Sequence, residues 1–293
     1  MQKTLKNQVS NQLQHGTSAF AHAIAVGVAM MIVMVMMRGL LAVMLVMLAV
    51  LLSGCSTLRG GRLLAPETFG FERVTDKVYI EAGADAATRT LLQDEIRRAE
   101  QAMQVTYGAA LSQPVFHACL SEQCLYHFGG EGTFAKAYGN RILLSRRGLN
   151  WHFIAHEWSH AELVKRLDLL AWREMPQWFD EGLAVAVSEA PEHAEQHWQY
   201  LDAHGIAKPN RDELLTLKKL AQWLAAGERY QDGKNAERRS RGEQEIHALY
   251  AAAGHEVRPW FAQVGTAGLL ALIAQLNAGI DFADTYPQIN AKR

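Results

Sequence analysis

The segment HEWSH at residues 156–160 constrains this chain of 293 residues more than any other feature. Residues 150–167 around it are apolar on nearly all sides, which is typical of a helix buried inside a domain. On a helix, His156 and His160 lie on one face, one turn apart, so both imidazoles can bind a single metal ion. Glu157 lies beside the first histidine, where it can activate a water without binding the ion itself. A buried helix with these polar groups needs a compensating partner, which a cation supplies; hydrogen-bonded core residues are the alternative interpretation.

A second motif, MPQWFDEGLA, follows at residues 175–184, with 20 residues between His160 and Glu181. Pro176 suits the first turn of a helix, because its fixed φ angle matches and its missing N–H is not needed there. Glu181 then falls in the early turns of this helix, and the small residues at 182, 184 and 186 let it approach the first helix closely. We expect the two helices to pack antiparallel and Glu181 to supply a carboxylate oxygen. Two histidines and one glutamate, with the fourth position left to water, form the ligand set of a catalytic zinc site.

Together the two motifs resemble those of the gluzincin metallopeptidases. HExxH followed by WFDEGLA is similar to the W-x-x-E-G-x-A element of gluzincin aminopeptidases and, more closely, of small bacterial peptidase-MA-like domains. The similarity covers residues 141–286, and its specific part is the two motifs. It implies one zinc ion per chain, bound by His156, His160 and Glu181, with Glu157 as the general base. The chain has no GAMEN-type exopeptidase segment upstream of the helix, which favours an endopeptidase.

The N-terminal segment indicates the cellular compartment. Residues 1–54 contain three basic residues and no acidic one, and residues 40–52 form an apolar run that follows Met37 and Arg38. With LSGC at residues 52–55, the stretch from Met37 is similar to a bacterial lipoprotein signal with Cys55 as the lipidation site. We expect translation to start near Met37 and the mature protein to be anchored in the outer membrane, facing the periplasm. The alternative is an inner-membrane protein with a transmembrane helix near residues 20–37.

The remainder of the chain is predicted to be a tether at residues 55–75 followed by one domain at residues 76–293. From Cys55 onward there are 26 basic and 30 acidic residues, a balance that argues against a nucleic-acid partner and against a polybasic membrane patch. Cys119 and Cys124 close a short loop in an exported chain, which favours a disulfide over two unpaired thiols.

The hydrophobic patterns predict an α+β fold, mostly helical, with a small N-terminal sheet and a helical C-terminal half, and the resemblance implies that this fold is zincin-like. We expect strands at residues 77–81 and 114–119 and a hairpin of residues 134–138 and 141–145 around Gly139-Asn140. Helices are predicted at residues 86–107, 191–204, 212–226, 243–264 and 266–277. In gluzincin-like folds, an edge strand at the place of residues 141–145 can pair with an extended peptide substrate.

One further catalytic group is predicted near the C-terminus. Many zinc peptidases need a donor for the oxyanion, and Tyr250 is the first choice, with His255 the weaker candidate; ordinary helix packing is the alternative for both. The other histidines are interpreted as surface or ordinary core residues: His117, His127, His193, His197, His204 and His247.

The sequence therefore predicts a zinc-dependent peptidase that acts on a peptide or protein substrate at the bacterial cell envelope. The alternative is a catalytically silent envelope lipoprotein in which a structural metal site supports the binding of a partner. The presence of Glu157 beside all three predicted ligands favours the enzyme, because a purely structural site has no need of a base.

Overall fold

The computed structural model describes residues 31, 34–41, 43–44, 59–230 and 232–291. The chain divides into two compact units, Met1–Thr57 and Leu58–Arg293, and the described residues of the first are helical. The predicted lipidation site Cys55 lies outside the described residues, as does most of the predicted signal at residues 1–54.

The second unit contains a five-stranded mixed sheet in the order β1-β2-β3-β5-β4. Its strands are β1 (Phe71–Thr75), β2 (Val78–Glu81), β3 (Val115–Ala118), β4 (Ala135–Tyr138) and β5 (Arg141–Leu144). The three central strands are parallel, and β1 and β4 are antiparallel to their neighbours. The prediction that residues 141–145 form an edge strand was wrong, because β5 lies between β3 and β4, and the two edge strands are β1 and β4.

The tether predicted for residues 55–75 was too long. Two short 3-10 helices, Gly61–Leu64 and Pro66–Phe69, lead directly into β1, which pairs with β2. Leu63 and Phe71 are buried in a small apolar cluster beside the sheet. This part of the chain therefore belongs to the domain, since its apolar side chains have partners that are distant in sequence.

Eleven α-helices lie in the described part of the second unit. They are α1 (Ala86–Tyr107), α2 (Glu122–His127), α3 (Trp151–Arg166), α4 (Leu169–Glu174), α5 (Gln177–Ser188), α6 (Glu195–Ala203), α7 (Arg211–Thr216), α8 (Leu220–Arg229), α9 (Asn235–Ser240), α10 (Ala248–Asn277) and α11 (Phe282–Ala291). The predicted α+β class, with a small sheet and a helical C-terminal half, is confirmed. The helix predicted at residues 212–226 is divided into α7 and α8, and the one predicted at 243–264 begins at Ala248.

The long helix α10 forms the centre of the helical half. It changes direction at Gly265, whose φ of 61° and ψ of −166° are not helical, at the position where two separate helices were predicted to meet. By length and composition α10 could span a membrane. Its residues Leu249, Val257, Trp260 and Leu269 are nevertheless buried in the main core, together with the apolar residues of α3 and α5. This core holds the two helices that carry the predicted metal ligands.

A disulfide joins Cys119 to Cys124, whose Cα atoms lie 5.5 Å apart. It connects the end of β3 to α2, and Cys119 is fully buried. Glu81 supports the same turn, because its carboxylate accepts hydrogen bonds from the backbone N–H groups of Leu120 and Ser121 at 2.6 and 2.8 Å. The disulfide and these hydrogen bonds therefore fix a loop at the edge of the small apolar cluster.

Candidate metal centre

Helix α3 places the two histidines of the HEWSH segment in the protein interior. Asn150 caps its N-terminus by accepting a hydrogen bond from the backbone N–H of Phe153 at 3.2 Å. His156 is buried, and His160 lies one turn further along, with the two ring centroids 5.0 Å apart. Both imidazoles thus point to the same side of the helix, as the spacing predicts.

A buried carboxylate on the same helix holds α3 against the loop that follows α1. Glu162 is completely buried and accepts hydrogen bonds from the backbone N–H groups of Leu111 and Ser112 at 2.8 and 2.7 Å. It also pairs with Arg166 at 2.8 Å. Because its oxygens have several donors, this charge is tolerated in the core and limits movement of the helix that carries the histidines.

Helix α5 supplies the third predicted ligand. It begins directly after Pro176, and Glu181 lies on its second turn. The expectation that Gly182 lets α5 approach α3 was wrong: this glycine faces α10. A Cβ atom at position 182 would lie 2.6 Å from the backbone oxygen of Ala253 and 2.5 Å from Cγ2 of Val257. Gly182 therefore permits the close crossing of α5 and α10.

The three predicted ligands converge on one point. Oε2 of Glu181 lies 3.3 Å from Nε2 of His156 and 3.7 Å from Nε2 of His160. All three donor atoms lie within 4.8 Å of one another. Ligand atoms at about 2.1 Å from a tetrahedral zinc ion are separated by about 3.4 Å, so the spacing fits such an ion. The donor set, two imidazoles and a carboxylate, leaves a fourth position for water.

The residue before Glu181 contacts a predicted ligand. Oδ1 of Asp180 lies 2.8 Å from Nδ1 of His160, which leaves Nε2 of that ring directed at the centre. Burial alone would lower the pKa of His160, but the carboxylates of Asp180 and Glu181 outweigh it and raise the pKa to about 10. Nδ1 of His156 is buried without a hydrogen-bond partner among the described residues. Asp180 therefore orients one of the two histidines.

A cavity of about 390 Å³ adjoins the centre at His156. Glu157 and His156 lie in its wall, and the edge strand β4 borders it through Ala135. The loop of residues 131–133 forms another side. A molecule in this cavity would contact Glu157 and His156, whereas His160 and Glu181 are not among the residues that line it.

The predicted oxyanion donor Tyr250 also lines this cavity. Its ring centroid lies 5.9 Å from that of His156. The ring is stacked on that of His193, with the two centroids 4.8 Å apart. The weaker candidate His255 is not among the residues that line the cavity. It pairs with Glu195 at 2.9 Å in an exposed position.

Two histidines that were interpreted from the sequence as surface or ordinary core residues, His193 and His247, line the cavity. Their ring centroids lie 5.0 Å apart, and that of His193 lies 6.0 Å from that of His156. Burial, together with the neighbouring His247 and His156, lowers the pKa of His193 well below its usual value, which keeps it neutral. No local pattern marks either residue, because only the packing of α10 against the turn after α5 brings them to the cavity.

No protein-family model, curated protein or solved structure matches this chain. The chemistry of the centre is therefore inferred from its own residues. Three donors of the kind that bind zinc converge, and the carboxylate of Glu157, which follows the first of them in the sequence, lines the adjoining cavity. Such an arrangement is suited to activating a water molecule against a substrate carbonyl.

Proposed function

We propose that this protein is a zinc-dependent endopeptidase of the gluzincin type, lipid-anchored at Cys55 and facing the periplasm. The observation that carries the proposal is the convergence of His156, His160 and Glu181 within 4.8 Å, with Glu157 in the adjoining cavity. Zinc bound by these three residues would polarise the scissile carbonyl and make water a better nucleophile near neutral pH.

The remaining roles belong to residues of the cavity wall. Glu157 follows His156 directly and is not one of the three converging donors, which leaves its carboxylate available as a base. It would accept the proton of the attacking water and pass it to the leaving amine. The hydroxyl of Tyr250 would donate a hydrogen bond to the developing oxyanion, since its ring is held beside His156 by stacking on His193.

The edge strand β4 supports a polypeptide as the substrate. β4 pairs with β5 along one side, and Ala135 on β4 lines the cavity that also contains Glu157. An extended peptide can add to such an edge through backbone hydrogen bonds and so pass across the centre. The proposed substrate is therefore a segment without secondary structure of its own.

The variant Glu157→Gln distinguishes the proposed role of Glu157 as the general base from the roles of the metal ligands. The amide keeps the shape of the side chain, so zinc content measured by mass spectrometry should stay near that of the wild type. Cleavage of casein or of a peptide library should fall by about 10²–10⁴-fold, because the proton acceptor is lost. His160→Ala should lose both zinc and cleavage.

Glu174→Gln serves as the matched control, since this glutamate lies on α4 and does not line the cavity. It should cleave casein and bind zinc as the wild type does. Cleavage that survives exhaustive chelation of the wild type, or that persists in Glu157→Gln, would contradict the proposal. The catalytically silent alternative predicts zinc binding without any cleavage by the wild type.

Membrane attachment is tested separately. Radiolabelled palmitate should be incorporated into the wild type but not into Cys55→Ala, and the variant should be released from the membrane fraction. A protein that retains residues 20–37 and carries no lipid would instead favour the transmembrane alternative.

A further inference from the structure

The part of the domain that follows the proposed anchor is fastened directly to the rim of the cavity. Arg59 donates a hydrogen bond to the backbone oxygen of Tyr126 at 2.9 Å. Its guanidinium also pairs with Glu131 at 2.7 Å, and Glu131 lines the cavity. Arg62 donates to the backbone oxygen of His127 at 2.7 Å. The first described residues of the domain are thus joined to the loop beside the metal centre.

Large apolar side chains are exposed on the same part of the surface. Leu64 is 72% exposed, Tyr126 58% and Phe69 43%. The guanidinium of Arg59 lies 4.3 Å from the centroid of the Tyr126 ring, and that of Arg62 lies 5.7 Å from the Phe69 ring. Arginines next to exposed aromatic and aliphatic side chains form a surface suited to the boundary between lipid headgroups and acyl chains. We call these five residues the anchor face.

The length of chain before Arg59 limits how far the anchor face can lie from a membrane. Three residues lie between Cys55 and Arg59, so the Cα atoms of these two residues can be at most about 14 Å apart in a fully extended chain. The apolar run of residues 40–52 ends only a few residues further upstream, so a transmembrane anchor would impose a similar limit. Because the chain between the proposed anchor and Arg59 is so short, the phospholipid bilayer lies close to the anchor face and can take up its apolar side chains.

We propose that the anchor face is seated on the surface of the phospholipid bilayer and holds the mouth of the cavity close to it. The side chains of Leu64, Phe69 and Tyr126 enter the interfacial region, and Arg62 lies at the level of the lipid phosphates. Arg59, whose side chain is 17% exposed and paired with Glu131, stays beside the ring of Tyr126. Because Glu131 connects the anchor face to the cavity rim, the centre works on polypeptide segments that run close to the membrane surface. The position of the anchor face on the bilayer rests on the proposed membrane attachment alone, and the action on nearby polypeptide segments rests also on the proposed function.

Depth-dependent fluorescence quenching tests the seating. In the full-length protein, Leu64→Cys and Tyr126→Cys are labelled separately with a nitrobenzoxadiazole fluorophore. Each protein is reconstituted into vesicles of phosphatidylethanolamine and phosphatidylglycerol that contain nitroxide-labelled lipids. Leu170→Cys on α4 is the matched control, because Leu170 is 73% exposed and is also a leucine. Cys119 and Cys124 are disulfide-bonded, and protein without an introduced cysteine gives the background of labelling.

Lipid quenching at positions 64 and 126 should exceed that at position 170 several-fold, and emission at the first two should shift to the blue. Flotation of the vesicles on a density gradient measures attachment independently. Protein that floats but shows equal quenching at all three positions would overturn the seating alone. Protein that does not float would overturn the attachment and the seating together. Stronger quenching at position 170 would place α4 against the membrane and refute the inference.

Discussion

Replacement of Asp180 gives a sharp test of the metal centre, because this residue contacts a proposed ligand and not the ion. Oδ1 of Asp180 and Nδ1 of His160 lie 2.8 Å apart, with 20% and 17% of the two side chains exposed. When Nε2 of His160 binds the ion, Nδ1–H donates to the carboxylate, which fixes the tautomer and the orientation of the ring. A hydrogen bond to a charged group contributes about 1.5–3 kcal/mol, equivalent to about a 10- to 150-fold change in a dissociation constant.

We therefore expect Asp180→Ala to weaken zinc binding by about 10–100-fold, the range for partners that orient a ligand. Competition with a chromophoric chelator measures the dissociation constant. Asp180→Asn should lose less, since the amide oxygen can still accept the hydrogen bond. Asp202→Asn is the control, because the partner of Asp202 is Lys208 at 2.7 Å on another part of the surface. A folded Asp180→Ala protein that binds zinc as tightly as the wild type would refute the orientation proposed for His160.

Three further predictions concern packing, pH and catalysis. Gly182→Ala should lower the free energy of unfolding in urea by about 1–3 kcal/mol, because the new Cβ would lie 2.6 Å from the backbone oxygen of Ala253. Gly61→Ala, with open space around the new Cβ, should leave stability unchanged. Burial lowers the pKa of His117 from 6.5 to about 4, so the unfolded state binds more protons in that interval. Stability should therefore fall by up to about 1.4 kcal/mol per pH unit on acidification, and His117→Phe should reduce this slope in thermal unfolding; an unchanged slope would contradict the assignment. Tyr250→Phe should lower kcat by about 10²–10³-fold at unchanged zinc content, and an unaffected kcat would exclude its hydroxyl as the oxyanion donor.

Local signals in the sequence predicted much of the secondary structure. The bounds of α1 match the prediction because Asp85 caps its first turn and Gly108 ends it with a φ of 75°. The turn at Gly139-Asn140 predicted the hairpin of β4 and β5. The sequence also predicted that the three proposed ligands converge. The spacing of His156 and His160 requires only helical geometry, and Glu181 was predicted from the second motif.

The parts that the sequence did not predict depend on contacts between distant segments. The order of the strands placed β5 inside the sheet and β4 at its edge, and no residue pattern within the hairpin specifies that order. The glycine, proline and basic residues of segment 55–75 favour a tether, and they give no sign that Leu63 and Phe71 are buried. His193 and His247 reach the cavity only through the packing of helices.

Insertions and deletions before the start of α5 at Gln177 should have a different effect from those within its first turns. A length change confined to exposed residues of the connection between α3 and α5 leaves α5 in place, as long as the helix still begins directly after Pro176 and the buried Leu167, Ala171 and Met175 keep their positions in the core. An insertion between Pro176 and Glu181 is different, since one extra residue rotates everything after it by about 100° around the helix axis. Asp180 and Glu181 would then both lose their contacts with His160, because the two residues are adjacent on the same helix. Among descendants of this sequence, we expect length variation to accumulate before Pro176 and to be absent from the next five positions.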